Sequence, residues 1–154
     1  MKWEIEKKFL VKGDSYKRAP FQHVTQGYLS EDKNRTIRIR IADNQGWLTI
    51  KGKSEGIKRI EFEYKIPGDD AMELLKLSLH QPIKKTRYLY EYKNHLFEVD
   101  EFHAANQGLV LCEIELKNES EQFDRPDFLG EEVSHDPRYY NLSLSITPFS
   151  TWKS

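Results

Sequence analysis

The 154-residue chain has little of several features on which common protein classes depend. Its single cysteine, Cys112, excludes an intramolecular disulfide and any multi-cysteine zinc site, and we expect a buried, inert thiol. No apolar run approaches the roughly 20 residues that a membrane span needs. The opening residues MKWEIE lack the apolar core of a secretory signal. We therefore expect a soluble, cytoplasmic protein that forms one domain over 1–154 and has no membrane partner.

The chain also lacks an excess of charge of either sign. Its 24 Lys and Arg residues oppose 25 Asp and Glu residues, which gives a net charge of −1 and argues against a nucleic-acid partner. Charged residues nevertheless make up 32% of the chain, and apolar residues only 38%. A charged fraction this high with an apolar fraction this low is close to the composition of disordered chains. However, 8 Tyr, 8 Phe and 3 Trp are spread along the chain at strand-like spacing, which predicts a folded core.

Apolar and polar residues alternate along most of the chain, as they do in β-strands. The alternation predicts eight strands, at about 2–11, 22–30, 35–42, 46–53, 57–66, 84–93, 95–102 and 109–117. Turn-forming residues separate several of these strands. The sequence therefore predicts a mostly β protein.

Three helices are expected, over about 71–79, 120–123 and 138–144. Asp69 or Asp70 is the expected N-cap of the first helix, which should stop before Pro82. Asp136 and Pro137 resemble a cap and a first-turn proline for the third.

The charged residues follow the strand period. Side chains at i and i+2 share one face of a strand, and on most of the strands that face is charged, often with one sign, as with Arg38 and Arg40 or Glu113 and Glu115. Such neighbours lie roughly 6.5–7 Å apart, and at an effective dielectric near 20 their repulsion costs on the order of 2 kcal/mol. One such face is ordinary in a half-solvated sheet. Repetition over many strands predicts counter-ions, metals or a polyanionic ligand that offset the repulsion.

Nine short motifs then identify a family. They are ExExK at 4–8, QGYL at 26–29, RxR at 38–40, TxK at 49–51, RxExE at 59–63, KTRY at 85–88, ExDxF at 98–102, ExE at 113–115, and a segment over 130–141 similar to GxEVT…RYxN. In this order they resemble the CYTH, or triphosphate tunnel metalloenzyme, superfamily over roughly 3–145. One departure is Leu142-Ser143-Leu144, where the family usually has small residues.

The resemblance implies an α+β, mostly β fold, in which eight antiparallel strands close into a barrel with a few flanking helices. The charged faces would point inward and line a solvated tunnel that binds a triphosphate with Mg²⁺ or Mn²⁺. The expected triphosphate-binding residues are Lys8, Arg38, Arg40, Lys51, Arg59, Lys85 and Arg87. The expected metal ligands are Glu4, Glu6, Glu113 and Glu115, with Glu61, Glu63, Glu98 and Asp100 as further ligands or as supports behind them. The expected catalytic residues are Glu4, Glu6, Lys8 and Arg87.

The residue types fit this chemistry independently of the family. Arginine presents a planar fork to phosphate oxygens, lysine presents a point charge, and carboxylates with water suit Mg²⁺. Hydrolysis of a phosphoanhydride asks the protein mainly for positioning and charge stabilisation. Tyr28 is expected either to reach the tunnel or simply to pack.

The sequence shows no extra domain and no evident aromatic pocket for a base. We therefore expect a metal-dependent triphosphatase that hydrolyses the terminal phosphoanhydride of inorganic tripolyphosphate. Alternatives within the fold are a nucleoside or thiamine triphosphatase and a class IV-type adenylate cyclase. An alternative of another class is a non-catalytic polyphosphate- or nucleotide-binding module.

Inward charged faces imply outward apolar ones. The residues expected on the outside are Ile37, Ile39, Ile41, Leu48, Ile50, Ile60, Phe62, Tyr64 and Ile66. Contiguous apolar patches usually mark interfaces, so a homodimer is expected. The alternative is that the helices and the C-terminal tail, with Phe149 and Trp152, cover this wall within one chain.

Overall fold

The alternating pattern becomes nine β-strands in the computed structural model, which describes residues 2–152. The strands are β1 Trp3–Val11, β2 Phe21–Ser30, β3 Arg35–Ala42, β4 Gln45–Gly52, β5 Lys58–Ile66, β6 Ile83–Tyr92, β7 His95–Phe102, β8 Val110–Glu115 and β9 Leu129–Glu132. The first eight agree with the sequence prediction to within about two residues at either end. The ninth was not predicted, because four residues are too few to establish an alternation.

Eight of these strands close into an antiparallel barrel in the order β5-β4-β3-β2-β6-β7-β8-β1. A short pairing of β1 with β5, which places Glu4 opposite Arg59, completes the ring. β9 adds to the C-terminal half of β1, where Phe9 lies opposite Glu132. A barrel of eight strands has an interior just wide enough for side chains or one small ligand.

Two hairpins show how the local sequence sets the strand register. β3 and β4 are joined by Asp43 and Asn44, and β6 and β7 by Lys93 and Asn94. All four residues have positive φ, between 45° and 70°, which is the conformation of a two-residue type I′ turn. This turn fixes the pairs that follow, so that Arg40 lies opposite Trp47 and the charged positions of neighbouring strands share the inner face.

The larger apolar core lies on the outside of the barrel wall. Phe9, Phe97 and Ile114 are almost fully buried there beneath Tyr16 and Phe128, which belong to the connections outside the barrel. Tyr16 and Phe128 pack edge to face, with 5.8 Å between their ring centres. Cys112 belongs to the same cluster, and burial raises the pKa of its thiol, as expected for an inert cysteine.

A second apolar cluster lies inside one end of the barrel. Ile83, Phe102 and Leu111 follow the same alternation as the charged inward residues of their strands, and they pack with Tyr139 and Leu144 of the C-terminal segment. This end of the barrel is therefore filled by apolar side chains, and the charged interior begins beyond them.

Helix α1, Gly68–Leu75, packs against β3 and β4 from outside. Its N-cap is Pro67, and Asp69 and Asp70 lie in its first turn, so the predicted cap was wrong by two or three residues. The helix also ends earlier than predicted. After Leu75 the backbone bonds tighten to i→i−3, and Leu79 N–H donates to the Tyr28 carbonyl oxygen, which draws the chain onto β2.

The other two helix predictions also need correction. Residues 120–123 are not helical, because the Asn118 side chain accepts from the backbone and hydroxyl of Ser120 and holds a turn. The predicted helix over 138–144 is divided at Tyr140, where ψ is 138°. It becomes a 3₁₀ turn, Pro137–Tyr139, followed by helix α2, Asn141–Ile146, although Asp136 does cap the first turn as predicted. None of the helices in residues 2–152 is both long enough and apolar enough to span a bilayer.

Candidate active site

A cavity of about 690 Å³ runs inside the barrel, and the predicted charged residues line it. All seven predicted cations are present: Lys8, Arg38, Arg40, Lys51, Arg59, Lys85 and Arg87. Seven of the eight predicted carboxylates are present as well: Glu4, Glu6, Glu61, Glu63, Glu98, Glu113 and Glu115. Tyr28 also lines the cavity. The structure therefore gathers, from all parts of the chain, the side chains that strand alternation placed on one face.

Asp100 is the predicted carboxylate that does not line the cavity. It is 1% exposed, and both its oxygens are held by Arg87, at 2.8 Å and 2.9 Å from the guanidinium nitrogens. Burial alone would raise the pKa of Asp100, but Arg87 and Lys85 lower it. Asp100 therefore stays ionised on the inner face of the barrel, where Arg87 and Lys85 cover it, and it orients these two cations.

Arg87 links the buried carboxylate to the cavity. Besides Asp100, its guanidinium reaches Glu98 at 3.1 Å and Glu113 at 3.4 Å. Burial by itself would lower the pKa of Arg87, but these three carboxylates raise it well above its usual value. Arg87 is thus a permanently charged and rigidly held group in the cavity wall.

Arg38 and Arg40 form a more loosely compensated cationic patch. Both guanidiniums lie 3.6 Å from one carboxylate, that of Glu63. Among the described residues, 2–152, neither of their buried Nε atoms has a hydrogen-bond partner. Burial and then the neighbouring Arg38 charge lower the pKa of Arg40. The two guanidiniums therefore carry more positive charge than their shared carboxylate neutralises.

Lys51 and Lys85 experience different electrostatic environments. Lys51 lies 2.7 Å from Glu4 and 3.4 Å from Glu61. Burial opposes its charge, but the glutamates raise the pKa of Lys51 to about 12. For Lys85 burial outweighs its 2.9 Å contact with Asp100 and lowers the pKa to about 8.

The carboxylates of β1 and β8 are crowded on the same wall, where Glu6 lies opposite Glu115 and Lys8 opposite Glu113. Burial, and then the charges of Glu113 and Glu4, raise the pKa of Glu6 well above its usual value. Burial works against the ionised form of Glu113 too, but Lys8 and Arg87 lower its pKa well below its usual value. Of this buried pair, Glu6 therefore takes up a proton more readily than Glu113.

A divalent cation fits this carboxylate set by its donor chemistry. Burial raises the pKa values of Glu4 and Glu115 too, with additional repulsion from neighbouring glutamates, and a cation would relieve that repulsion. Within residues 2–152, no three His, Cys, Asp or Glu side chains already stand together as a finished metal site. The carboxylates of this set offer oxygen donors, which hard divalent cations take.

Some cavity residues were not singled out from the sequence. Thr36 and Thr49 share the inner face with Arg38, and strand alternation alone could have identified them. Lys33 and Ser134 come from loops and could not be found in this way. Asn141 was noticed only as part of a motif, and nothing in the strand pattern indicated that it enters the barrel.

The comparisons with known proteins agree with this geometry. The model of the CYTH domain matches residues 2–140. An inorganic triphosphatase from Acetivibrio thermocellus is 45% identical over 152 residues, which cover 97% of each chain. An inorganic triphosphatase from Nitrosomonas europaea is 31% identical, and the match covers 94% of this chain and 97% of the relative.

Solved structures support the same fold. A crystal structure of an inorganic triphosphatase aligns with a TM-score of 0.64 at 31% identity and covers 93% of this chain and 97% of its own. A protein from Pyrococcus horikoshii aligns at 0.60 with 22% identity, covering 75% and 79% of the two chains, which supports the fold alone. The family match extends over almost the whole chain, and the motifs that suggested it line one cavity. The protein belongs to the CYTH domain family.

Proposed function

We propose that this protein is a metal-dependent triphosphatase that hydrolyses the terminal phosphoanhydride of inorganic tripolyphosphate. The observation that carries the proposal is the cavity itself, which is lined by nine Lys and Arg side chains and seven glutamates. The name shared by the two curated relatives, inorganic triphosphatase, supports the same activity.

The cations would bind and orient the phosphates. Arg38 and Arg40 share one counter-ion, Glu63, so an incoming anion would gain the most electrostatic attraction from these two residues. Lys8, Lys51, Arg59, Lys85 and Arg87 complete the set. Phosphoryl transfer depends mainly on positioning and on stabilising charge at the phosphoryl oxygens, and we assign Lys8 and Arg87 to that stabilisation.

Glu4, Glu6, Glu113 and Glu115 would hold the divalent metal, which we propose is Mg²⁺ or Mn²⁺. The ion would supply charge neutralisation at the phosphate oxygens. Glu61 and Glu98 are further candidates, although each now pairs with a cation, Lys51 and Arg87 respectively. Asp100 would support the site by orienting Lys85 and Arg87, and Glu63 by holding Arg38 and Arg40.

The cavity offers little to a nucleobase or a thiazole ring. Its aromatic lining residues, within residues 2–152, are Tyr28 and Tyr140. Trp47 lies on the inner face but stacks on Arg40, with 4.9 Å between the guanidinium carbon and the ring centre. Recognition would therefore rest on the phosphates, which favours tripolyphosphate over nucleoside and thiamine triphosphates.

A product assay tests the proposal. Purified protein with Mg²⁺ or Mn²⁺ is given tripolyphosphate, ATP or thiamine triphosphate, and the products are separated. We expect orthophosphate and pyrophosphate from tripolyphosphate, at the highest kcat/KM of the three substrates. Pyrophosphate with cyclic AMP from ATP would instead identify a cyclase. Binding of tripolyphosphate without any turnover would identify a non-catalytic module.

We also propose that the protein is a homodimer and acts in the cytoplasm. The outer wall keeps large apolar side chains in contact with solvent: Phe62 and Tyr64 on β5, and Met72 on α1, are 39%, 54% and 61% exposed. The C-terminal residues Phe149 and Trp152 pack on the cluster at the filled end of the barrel instead. Light scattering coupled to size exclusion should give about 37 kDa, twice 18.3 kDa, and a single 18 kDa species at high concentration would contradict the dimer.

A further inference from the structure

The C-terminal segment supplies hydrogen-bond acceptors to two buried lysines of the cavity. Lys8 Nζ donates to the Tyr139 carbonyl oxygen at 2.9 Å, and Lys85 Nζ donates to Asn141 Oδ1 at 3.4 Å. Lys8 and Lys85 are only 7% and 2% exposed. A buried ammonium group is costly unless its N–H groups are matched, so these acceptors determine how each lysine is held.

The orientation of the Asn141 amide is fixed by two donors. Its Oδ1 accepts from Gln26 Nε2 at 3.0 Å as well as from Lys85. An ammonium group can only donate, so the oxygen of the Asn141 amide must face Lys85. Gln26 is 0% exposed, which leaves its side chain little freedom to turn away. The Asn141 oxygen thus has one defined position.

The backbone around Asn141 is held on both sides. Tyr139, two residues earlier, packs edge to face against Trp152 with 5.2 Å between ring centres. Leu144, three residues later, is fully buried in the apolar cluster at the end of the barrel. Asp136 accepts from Arg138 N–H and starts the turn that leads into this segment. The backbone that carries Asn141 is therefore held in place on both sides of this residue.

Lys85 has three N–H groups, and two are accounted for. One donates to Asp100 Oδ2 at 2.9 Å and one to Asn141, while the side chain lines the cavity. We infer that Asn141 is a positioning residue for Lys85: by holding one N–H, it leaves another directed at the cavity for a triphosphate oxygen. This inference rests on the proposed function and adds a residue that lies just beyond the segment matched by the family model, 2–140.

Without the Asn141 oxygen, Asp100 would be the remaining acceptor for Lys85 in the wall. The ammonium group would turn toward that carboxylate, and less of its charge would be presented to the cavity. We therefore expect Asn141→Ala to lower kcat/KM for tripolyphosphate at least fivefold at saturating Mg²⁺, mainly through KM. Ser145→Ala is the matched control on the same helix, because the Ser145 hydroxyl donates to the Asn141 backbone carbonyl oxygen and not to its side chain, and it should behave as wild type.

A double-mutant cycle distinguishes positioning from a general structural role. In a Lys85→Met background, Asn141→Ala should change KM by less than twofold, because the group through which Asn141 acts is gone. If the fold-changes in KM caused by Asn141→Ala and by Lys85→Met simply multiply in the double variant, the inference is overturned. A wild-type KM in the Asn141→Ala single variant would overturn it as well. If Asn141→Ala fails to fold, Gln26→Met, which removes the second donor to Asn141, takes its place in the same cycle.

Calorimetric binding of tripolyphosphate to the same variants separates this inference from the proposed function. A wild-type protein that binds tripolyphosphate but releases no phosphate contradicts the proposed hydrolysis, while the relative affinities of the variants still decide the role of Asn141. A fivefold or greater loss of affinity in Asn141→Ala that disappears in the Lys85→Met background supports it. A wild-type protein that neither binds nor hydrolyses tripolyphosphate overturns both proposals.

Discussion

The individual charged side chains differ in how well their neighbours satisfy them, and this difference separates their roles. Arg87 and Asp100 hold each other through two hydrogen bonds, whereas Arg38 and Arg40 share one carboxylate. Strand alternation predicted which charges point inward, since it depends only on the sequence. It could not predict that Arg87 and Lys85 would cover Asp100 and keep it out of the cavity lining, because that depends on how these side chains pack inside the barrel.

Glu4 and Glu6 provide the first test of the metal assignment. Each substitution by Gln removes one charged oxygen ligand but keeps the side-chain shape, and changes even outside the ligand set can cost 10–100-fold. We expect Glu4→Gln and Glu6→Gln to lower turnover at least tenfold while the circular dichroism spectrum is unchanged. Glu73→Gln on the exposed face of α1 is the control. Near-normal turnover in both variants at modest Mg²⁺ would show that these carboxylates are only solvated side chains of the strand and do not bind the metal.

The raised pKa of Glu6 predicts how metal binding depends on pH. A metal ion needs the ionised carboxylate, so the proton on Glu6 competes with it. Lowering the pH through that raised pKa must therefore weaken metal binding, and raising the pH must strengthen it. Titration of the protein with Mn²⁺, followed by the electron paramagnetic resonance signal of free Mn²⁺, should show this trend across the pH range in which the protein stays folded. An affinity that is constant with pH in wild type, or equally pH-dependent in Glu6→Gln, would count against it.

Strands were predicted better than helices, for a physical reason. In β2, β3 and β6 polar and apolar side chains alternate over eight to ten residues, because one face of each strand points into the barrel and the other points out of it. Helix ends depend instead on tertiary contacts. In α1, for example, the Leu79 N–H donates to the Tyr28 carbonyl oxygen, and the chain leaves the helical path. The division of the C-terminal helix at Tyr140 likewise follows from packing of Tyr139 and Leu144 in the barrel end, which no local signal encodes.

The docking of α1 on the barrel depends on a glycine in β4. A Cβ added at Gly46 would lie 2.6 Å from Ala71 Cβ and 3.1 Å from the Ile66 carbonyl oxygen. Overpacking of this kind costs about 1–3 kcal/mol. We expect Gly46→Ala to lower the free energy of unfolding in urea by that amount. Ala71→Gly, which costs about 1 kcal/mol on its own, should recover part of the loss in the double variant. Strictly additive losses would show that the helix does not approach β4 so closely.

In the molecule as a whole, polar and apolar groups are arranged in the opposite way to an ordinary small barrel, whose interior is apolar and whose outer surface is polar. Charged side chains line the interior cavity, the larger apolar core lies between the wall and its covering segments, and a smaller apolar cluster fills one barrel end. Net charge is nearly zero, yet charges of one sign are locally concentrated, as at Arg38 and Arg40. A polyanion that enters the cavity should therefore stabilise the folded state by mass action.

The most direct test of the charged interior is the melting temperature with and without tripolyphosphate. Wild-type protein should show a clear upward shift that grows with ligand concentration. Arg38→Ala, Arg40→Ala and Arg87→Ala should each shrink the shift, whereas Arg35→Ala on the same strand as Arg38 should not, because Arg35 is exposed and pairs with Asp32. A ligand-induced shift identical to wild type in all three cavity variants would contradict the account, since it would mean that these arginines do not meet the triphosphate inside the barrel.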